Sequence, residues 1–292
     1  MSDFLEGELE HLAGEMSFTE GPVWIAEASA LLFTDIPGNA IMRWKEDEGL
    51  SVWCGNAHFA IGLTRDRTGR VIACEHSTRT LSALSLSPDG ALAGREVLAR
   101  AHDGRVLNST NDVICTRDGT ILFTDPPFGV RNLEGALHGY QQAQELPGSW
   151  VFAVGPDADQ PRVLCPDIYR PNGLCLSPDE TILYVSDSSE RHHKIVALDV
   201  GPDWALSNLR DLAVMPVGVP DGMRVDADGN VWAAGGDGVY VFAPDGAQIG
   251  HVPVPEMVTN VEWGGADLSQ LFITATRSLY RVRTRTRSGR AW

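Results

Sequence analysis

Residues 172–187 read NGLCLSPDETILYVSD: an amide and a glycine, a short apolar stretch, a Ser-Pro-Asp-Glu turn, then a strongly β-type run. Two such runs about a turn are the signature of an antiparallel hairpin. The same phrase recurs, with variation, as 20–35 (EGPVWIAEASALLFTD), 61–76 (IGLTRDRTGRVIACEH), 111–125 (NDVICTRDGTILFTD), 221–236 (DGMRVDADGNVWAAGG) and 260–275 (NVEWGGADLSQLFITA). The first residues of the six copies are spaced 41, 50, 61, 49 and 39 apart. Between them lie further short β runs, such as 149–154 (SWVFAV), 194–199 (KIVALD), 239–243 (VYVFA) and 278–282 (SLYRV). Each repeat therefore supplies about four strands.

Six four-stranded units with no sustained helical periodicity predict an all-β, six-bladed β-propeller that takes up residues 1–292 as a single domain. The period is too long for one coil of a parallel β-helix, crossover helices for an α/β fold are missing, and no Gly-His…Trp-Asp pair recurs. A closed ring needs a seam, which either Ser278–Thr284 or the N-terminal segment is expected to complete.

Composition narrows the function. The 292 residues are 43% hydrophobic and carry a net charge of −16, which repels phosphate backbones and anionic headgroups, so neither nucleic acid nor a membrane is the expected partner. No stretch approaches the length of a membrane span, and the N-terminus MSDFLEGELEHLAGE is acidic where a secretory signal would be basic, so a cytoplasmic protein is expected. Monomer and dimer both remain open. Five cysteines with no C-x-x-C pair argue against a disulfide framework or a thiolate metal site, and Cys74, Cys115 and Cys175 read as core. Six arginines within the last sixteen residues read as a solvated end neutralised by the acidic surface of the chain itself.

The first residues of the six copies are Glu20, Ile61, Asn111, Asn172, Asp221 and Asn260. In superimposable blades they occupy one position at the start of an inner strand, beside the central channel. Turn chemistry explains each Asn-Gly or Asp-Gly singly, but not five oxygen-bearing residues converging on one axis. Glu20, Asp221, Asn111 and Asn172 form an all-oxygen set suited to one hard divalent cation, with Ca²⁺ the first choice and Zn²⁺, Mn²⁺, Mg²⁺ or Fe²⁺ compatible. Such an ion, open on one side, is a Lewis acid, and Asp221, shorter than Glu20, is the candidate general base.

These residues resemble the senescence-marker-protein/gluconolactonase/luciferin-regenerating family. The resemblance rests on Glu20-Gly-Pro with Trp24, Ala73-Cys-Glu-His76, Asn108-Ser-Thr-Asn111-Asp112, Thr124-Asp-Pro-Pro-Phe-Gly129, Pro171-Asn-Gly173, Pro220-Asp-Gly222 and Thr259-Asn260, in order and at propeller spacing. It covers essentially the whole chain and is greatest to the bacterial gluconolactonase branch. It implies a lactone-opening enzyme with one central divalent metal, held by Glu20, Asn172 and Asp221, with Asp221 also the base and Asn111 touching substrate or completing the metal shell. Two departures stand out. Ser109 occupies a position where many members carry a substrate-binding arginine, and Ile61 stands where relatives often have asparagine, so a less hydroxylated or more apolar lactone becomes eligible.

Three further residues are candidates for substrate contact. His76 closes the second copy; Arg131 and Tyr140 fall in the long connection 128–148, a candidate lid. Asp35, Asp125 and Asp187 recur at strand ends as turn caps, and His192-His193 read as solvated loop. The expected reaction is metal-dependent opening of a small sugar-derived lactone to its hydroxy acid. Calcium-dependent hydrolysis of phosphotriesters or aryl esters, and a metal-stabilised binding propeller without turnover, are the alternatives.

Overall fold

The computed structural model describes residues 4–130, 143–158 and 160–290. Six four-stranded antiparallel sheets make up its ring. The first five blades begin with the inner strands Thr19–Ile25, Ala60–Arg65, Val113–Cys115, Pro171–Leu176 and Met223–Val225, and each adds its next three strands in chain order. The sixth is made differently. Val258–Gly264, Gln270–Ala275 and Ser278–Arg283 supply its inner three strands, and Glu10–Ala13 from the N-terminal segment pairs antiparallel with Ser278–Arg283 as its outer edge. Both candidate segments thus share the seam, which joins the two ends of the chain.

The core is divided into wedges between blades, because each twisted sheet is apolar on both faces. Trp232 of the fifth blade meets Trp263 of the sixth edge to face, with ring centroids 5.3 Å apart. Phe33 and Trp44 of the first blade close the ring on Phe272 and Leu279 of the sixth. Cys74 and Cys115 lie in one wedge and Cys175 in another, as buried free thiols. With the apolar side chains drawn between the blades, polar groups are left to line the axis.

Narrowness of the axis comes from glycine. At Gly222 a Cβ would stand 1.9 Å from Asn260 Cγ, and at Gly173 it would stand 2.2 Å from the Asp221 carbonyl oxygen. Each of these glycines follows a channel residue and admits the channel residue of the next blade. Gly222→Ala is accordingly expected to destabilise the fold by about 2–3 kcal/mol, through forced displacement of the sixth inner strand; thermal unfolding would read this as a clearly lowered midpoint.

The C-terminal arginines do not form a free solvated end. Arg281 pairs with Glu10 and Glu46, and Arg283 with Glu6 and Asp267, so neutralisation by the chain's own acidic groups holds for those two. Beyond them the chain crosses the far end of the channel: Ser288 N–H donates to Leu268 O, Gly289 N–H to Val225 O, and Arg290 Nη2 to Cys115 O at 3.0 Å. The spacing of arginines along a sequence does not show which carbonyls a folded ring offers them. Among the described residues no helix is long and apolar enough to cross a membrane.

Candidate active site

Glu20 is the second residue of its strand, Asn172 likewise, Asn260 the third, and Asn111 and Asp221 each lie two residues before theirs. The strand pairing is irregular at Glu20–Val23, Ala60–Leu63, Pro171–Leu174 and Val258–Asn260. Bulges at the same place in four blades re-aim side chains that a regular pleat would send into the wedges. The first residues of the repeats therefore gather at one end of the channel.

Hydroxyls fasten this end from blade to blade. Thr34 Oγ1 donates to the Ile61 carbonyl (3.0 Å), Thr124 Oγ1 to that of Asn172 (2.8 Å) and Ser186 Oγ to that of Asp221 (2.7 Å). Each hydroxyl precedes one of the recurring aspartates, which cap the loop entering the inner strand. Asp35 accepts the Ser17 and Phe18 N–H groups, Asp125 that of Asn108, and Asp187 those of Arg170 and Ser189. The Thr-Asp and Ser-Asp pairs at strand ends are the sequence signal for this lashing, with the aspartate capping the loop and its hydroxyl neighbour reaching the next blade.

Within the site, Glu20 Oε2 accepts the Gly21 N–H at 2.5 Å and Asn260 Nδ2 at 2.9 Å. Asn260 Oδ1 in turn accepts the Val261 N–H at 2.9 Å, which fixes the orientation of its amide. Asn260 thus holds Glu20, a role its sequence position did not reveal. Asn111 Nδ2 donates to Asn172 Oδ1 at 2.5 Å, and the Asn172 side chain hydrogen-bonds Asp221. The four predicted metal-binding residues are therefore brought together as two carboxylates with two amides.

Burial raises the Glu20 carboxyl from 4.5 to about 7, with the charge of Asp112 adding to the rise. Asp221 is pushed well above the ordinary carboxyl range, first by burial and then by the charges of Glu20 and Asp112, although it keeps an accessible face in the channel. Two carboxylates that oppose each other's ionisation, flanked by amide oxygens, fit a hard divalent cation, which would relieve the repulsion. Among the described residues there is no cluster of three or more His, Cys, Asp or Glu side chains of metal-binding form. The fit therefore depends on the amides.

The remaining candidates separate. His76 is buried beneath the third-blade loop, where a Cβ on Gly129 would stand 2.6 Å from its Nδ1. Ser109 is walled off as well: its Oγ donates to Pro126 O at 2.6 Å and accepts the Gly129 N–H at 2.9 Å. Arg131 and Tyr140 lie outside the described residues. His192 departs from a plain solvated loop, since its Nδ1 meets the buried carboxylate of Asp187 at 2.7 Å.

Residues 18–277 match the SMP-30/gluconolactonase/LRE-like family. A gluconolactonase of Zymomonas mobilis subsp. mobilis is 31% identical across 95% of this chain and 82% of its own length. A pentonolactonase of Haloferax volcanii is 26% identical over 87% of this chain and 80% of its own. The solved structure of a gluconolactonase from Xanthomonas campestris superimposes with a TM-score of 0.88 at 34% identity, covering 97% of this chain and 91% of that one. With a closed six-bladed ring, oxygen donors gathered at one end of its channel and this match over most of its length, the chain belongs to the SMP-30/gluconolactonase/LRE-like family.

Proposed function

We propose that the protein hydrolyses a small sugar-derived lactone to its hydroxy acid at the Glu20–Asp221 end of the channel, with one divalent metal ion, Ca²⁺ by preference. The observation that carries this reading is a pair of mutually opposed carboxylates, Glu20 buried and Asp221 open to the channel, beside two amides. The gluconolactonase and pentonolactonase relatives support the substrate class.

Glu20, Asn111, Asn172 and Asp221 would hold the ion, which when bound supplies Lewis-acid polarisation of the lactone carbonyl oxygen. Asp221 retains access to the channel and is the group placed to take the proton of the attacking water. The water oxygen bonds to the carbonyl carbon, the ring C–O bond breaks, and the departing oxygen takes up a proton to complete the hydroxy acid. Asn260 keeps Glu20 in place throughout, because both oxygens of the Asn260–Glu20–Gly21 contact are already committed.

A pH-indicator assay over five- and six-carbon aldonolactones tests the reading. Hydrolysis is expected with the native protein, loss after chelation, and recovery on adding back a divalent ion. Turnover that survives complete metal removal would overturn the metal role, and no turnover of any lactone with any ion would overturn the reaction.

A further inference from the structure

Beneath the proposed metal ligands lies a second set of charges that the reaction does not use. Arg224, on the fifth inner strand, is buried in the channel. Its Nε donates to Glu262 Oε2 of the sixth blade at 3.0 Å, its Nη1 to the Met223 carbonyl at 2.9 Å, and Nη1 stands 4.0 Å from Asp112 Oδ2 of the third blade. The third and sixth blades face each other across a ring of six, so one guanidinium spans the channel between opposite walls.

Asp112 is the point where this span meets the site. Glu20, Ile61, Asn172 and Asp221 are all followed by glycine, whereas Asn111 is followed by Asp112. The Asp112 carboxylate accepts the Val113 N–H at 2.9 Å and the Leu174 N–H at 3.3 Å, tying the strand after Asn111 to the strand that carries Asn172. Stability does not account for the arrangement. A buried ion pair commonly stabilises no more than apolar side chains of the same volume. Arg224 Nη2 has no hydrogen-bond acceptor among the described residues, which adds to the cost. A planar guanidinium fixed by its hydrogen bonds to Glu262 and the Met223 carbonyl does hold its charge at a set distance from the Asp112 carboxylate.

We propose that Arg224 is a positioning residue, a strut from Glu262 to Asp112 that fixes the separation of Asn111 and Asn172 and so the affinity of the channel for its divalent ion. The proposal rests on the metal-centred reading above. Removing the strut lets the third and fourth inner strands relax and the two amides drift from the ion.

Calorimetric titration of metal-free protein with CaCl₂, alongside thermal unfolding, provides the test. The Arg224→Met/Glu262→Met variant removes the strut with no change in net charge, while Asp112 keeps the N–H donors of Val113 and Leu174. Its Ca²⁺ dissociation constant is expected to weaken about 10–100-fold, the usual effect of losing an outer-shell partner. Arg224→Gln gives a second reading with a decisive sign. Loss of a positive charge near the site would by electrostatics alone tighten Ca²⁺ binding, whereas loss of the strut weakens it. Partial recovery in Arg224→Lys is expected. A folded double variant with native affinity, or an Arg224→Gln variant that binds Ca²⁺ as well as or better than the native protein, would overturn the strut. A native protein that binds no Ca²⁺, Zn²⁺ or Mn²⁺ would instead overturn the metal-centred reading, before any variant is compared.

Discussion

Asp221→Asn is expected to lower kcat for lactone hydrolysis by about 10³-fold, within the range lost with a general base, while the protein remains folded. The folding half of this expectation follows from where Asp221 makes its contacts. Its carbonyl accepts Ser186 Oγ at 2.7 Å and its N–H donates to Ala234 O at 3.2 Å, both through the backbone. An asparagine keeps those bonds, the volume and an oxygen for the ion, and loses only the capacity to take a proton and one unit of charge. Circular dichroism should therefore match the native protein while the pH-indicator rate collapses. Native activity in this variant would remove Asp221 from the mechanism.

Glu20→Gln is expected to act with opposite signs on the metal-free and metal-loaded protein. In the metal-free state the Glu20 carboxyl titrates at about 7 against 4.5 ordinarily, burial being the main cause. The unfolded chain therefore releases this proton first as pH rises, and the metal-free fold loses stability progressively between about 4.5 and 7. Glutamine removes that penalty. Below pH 4.5 the substitution should be neutral, and above pH 7 it should stabilise metal-free protein by about 3 kcal/mol, given roughly 1.36 kcal/mol per pKa unit. With divalent ion present the order reverses, since the ion loses one of two carboxylates and activity is abolished. Unfolding curves at pH 4.5 and 8, with chelator and with CaCl₂, supply the four conditions. A variant less stable than native protein in chelator at pH 8 would show that Glu20 is not a repelled charge.

Much of the site was legible before any coordinates. Glu20, Asn111, Asn172 and Asp221 share a position in a repeated phrase, and repetition is a local property that survives without knowledge of contacts. Asn260 was legible as a member of the series, yet its task was not, because holding Glu20 depends on a contact between residues 240 positions apart. Ser109 shows the same limit. Its place in the sequence marks a departure from the family pattern, and only the fold shows its hydroxyl enclosed beneath Pro126 and Gly129.

The ends of the chain were the least legible part. Pairing of Glu10–Ala13 with Ser278–Arg283 joins segments that local pattern cannot relate, and the passage of residues 288–290 across the far channel end depends on carbonyls of other blades. By itself the sequence determined the number of blades, the polarity of the axis and the oxygen chemistry gathered there, because strand period, turn residues and repeat spacing are written locally. Tertiary structure alone decided how wide the channel is, which side chains orient Glu20 and Asn172 and how Arg224 bridges opposite walls. Those features arise from contacts between blades, and ring closure sets such distances only when all six are in place.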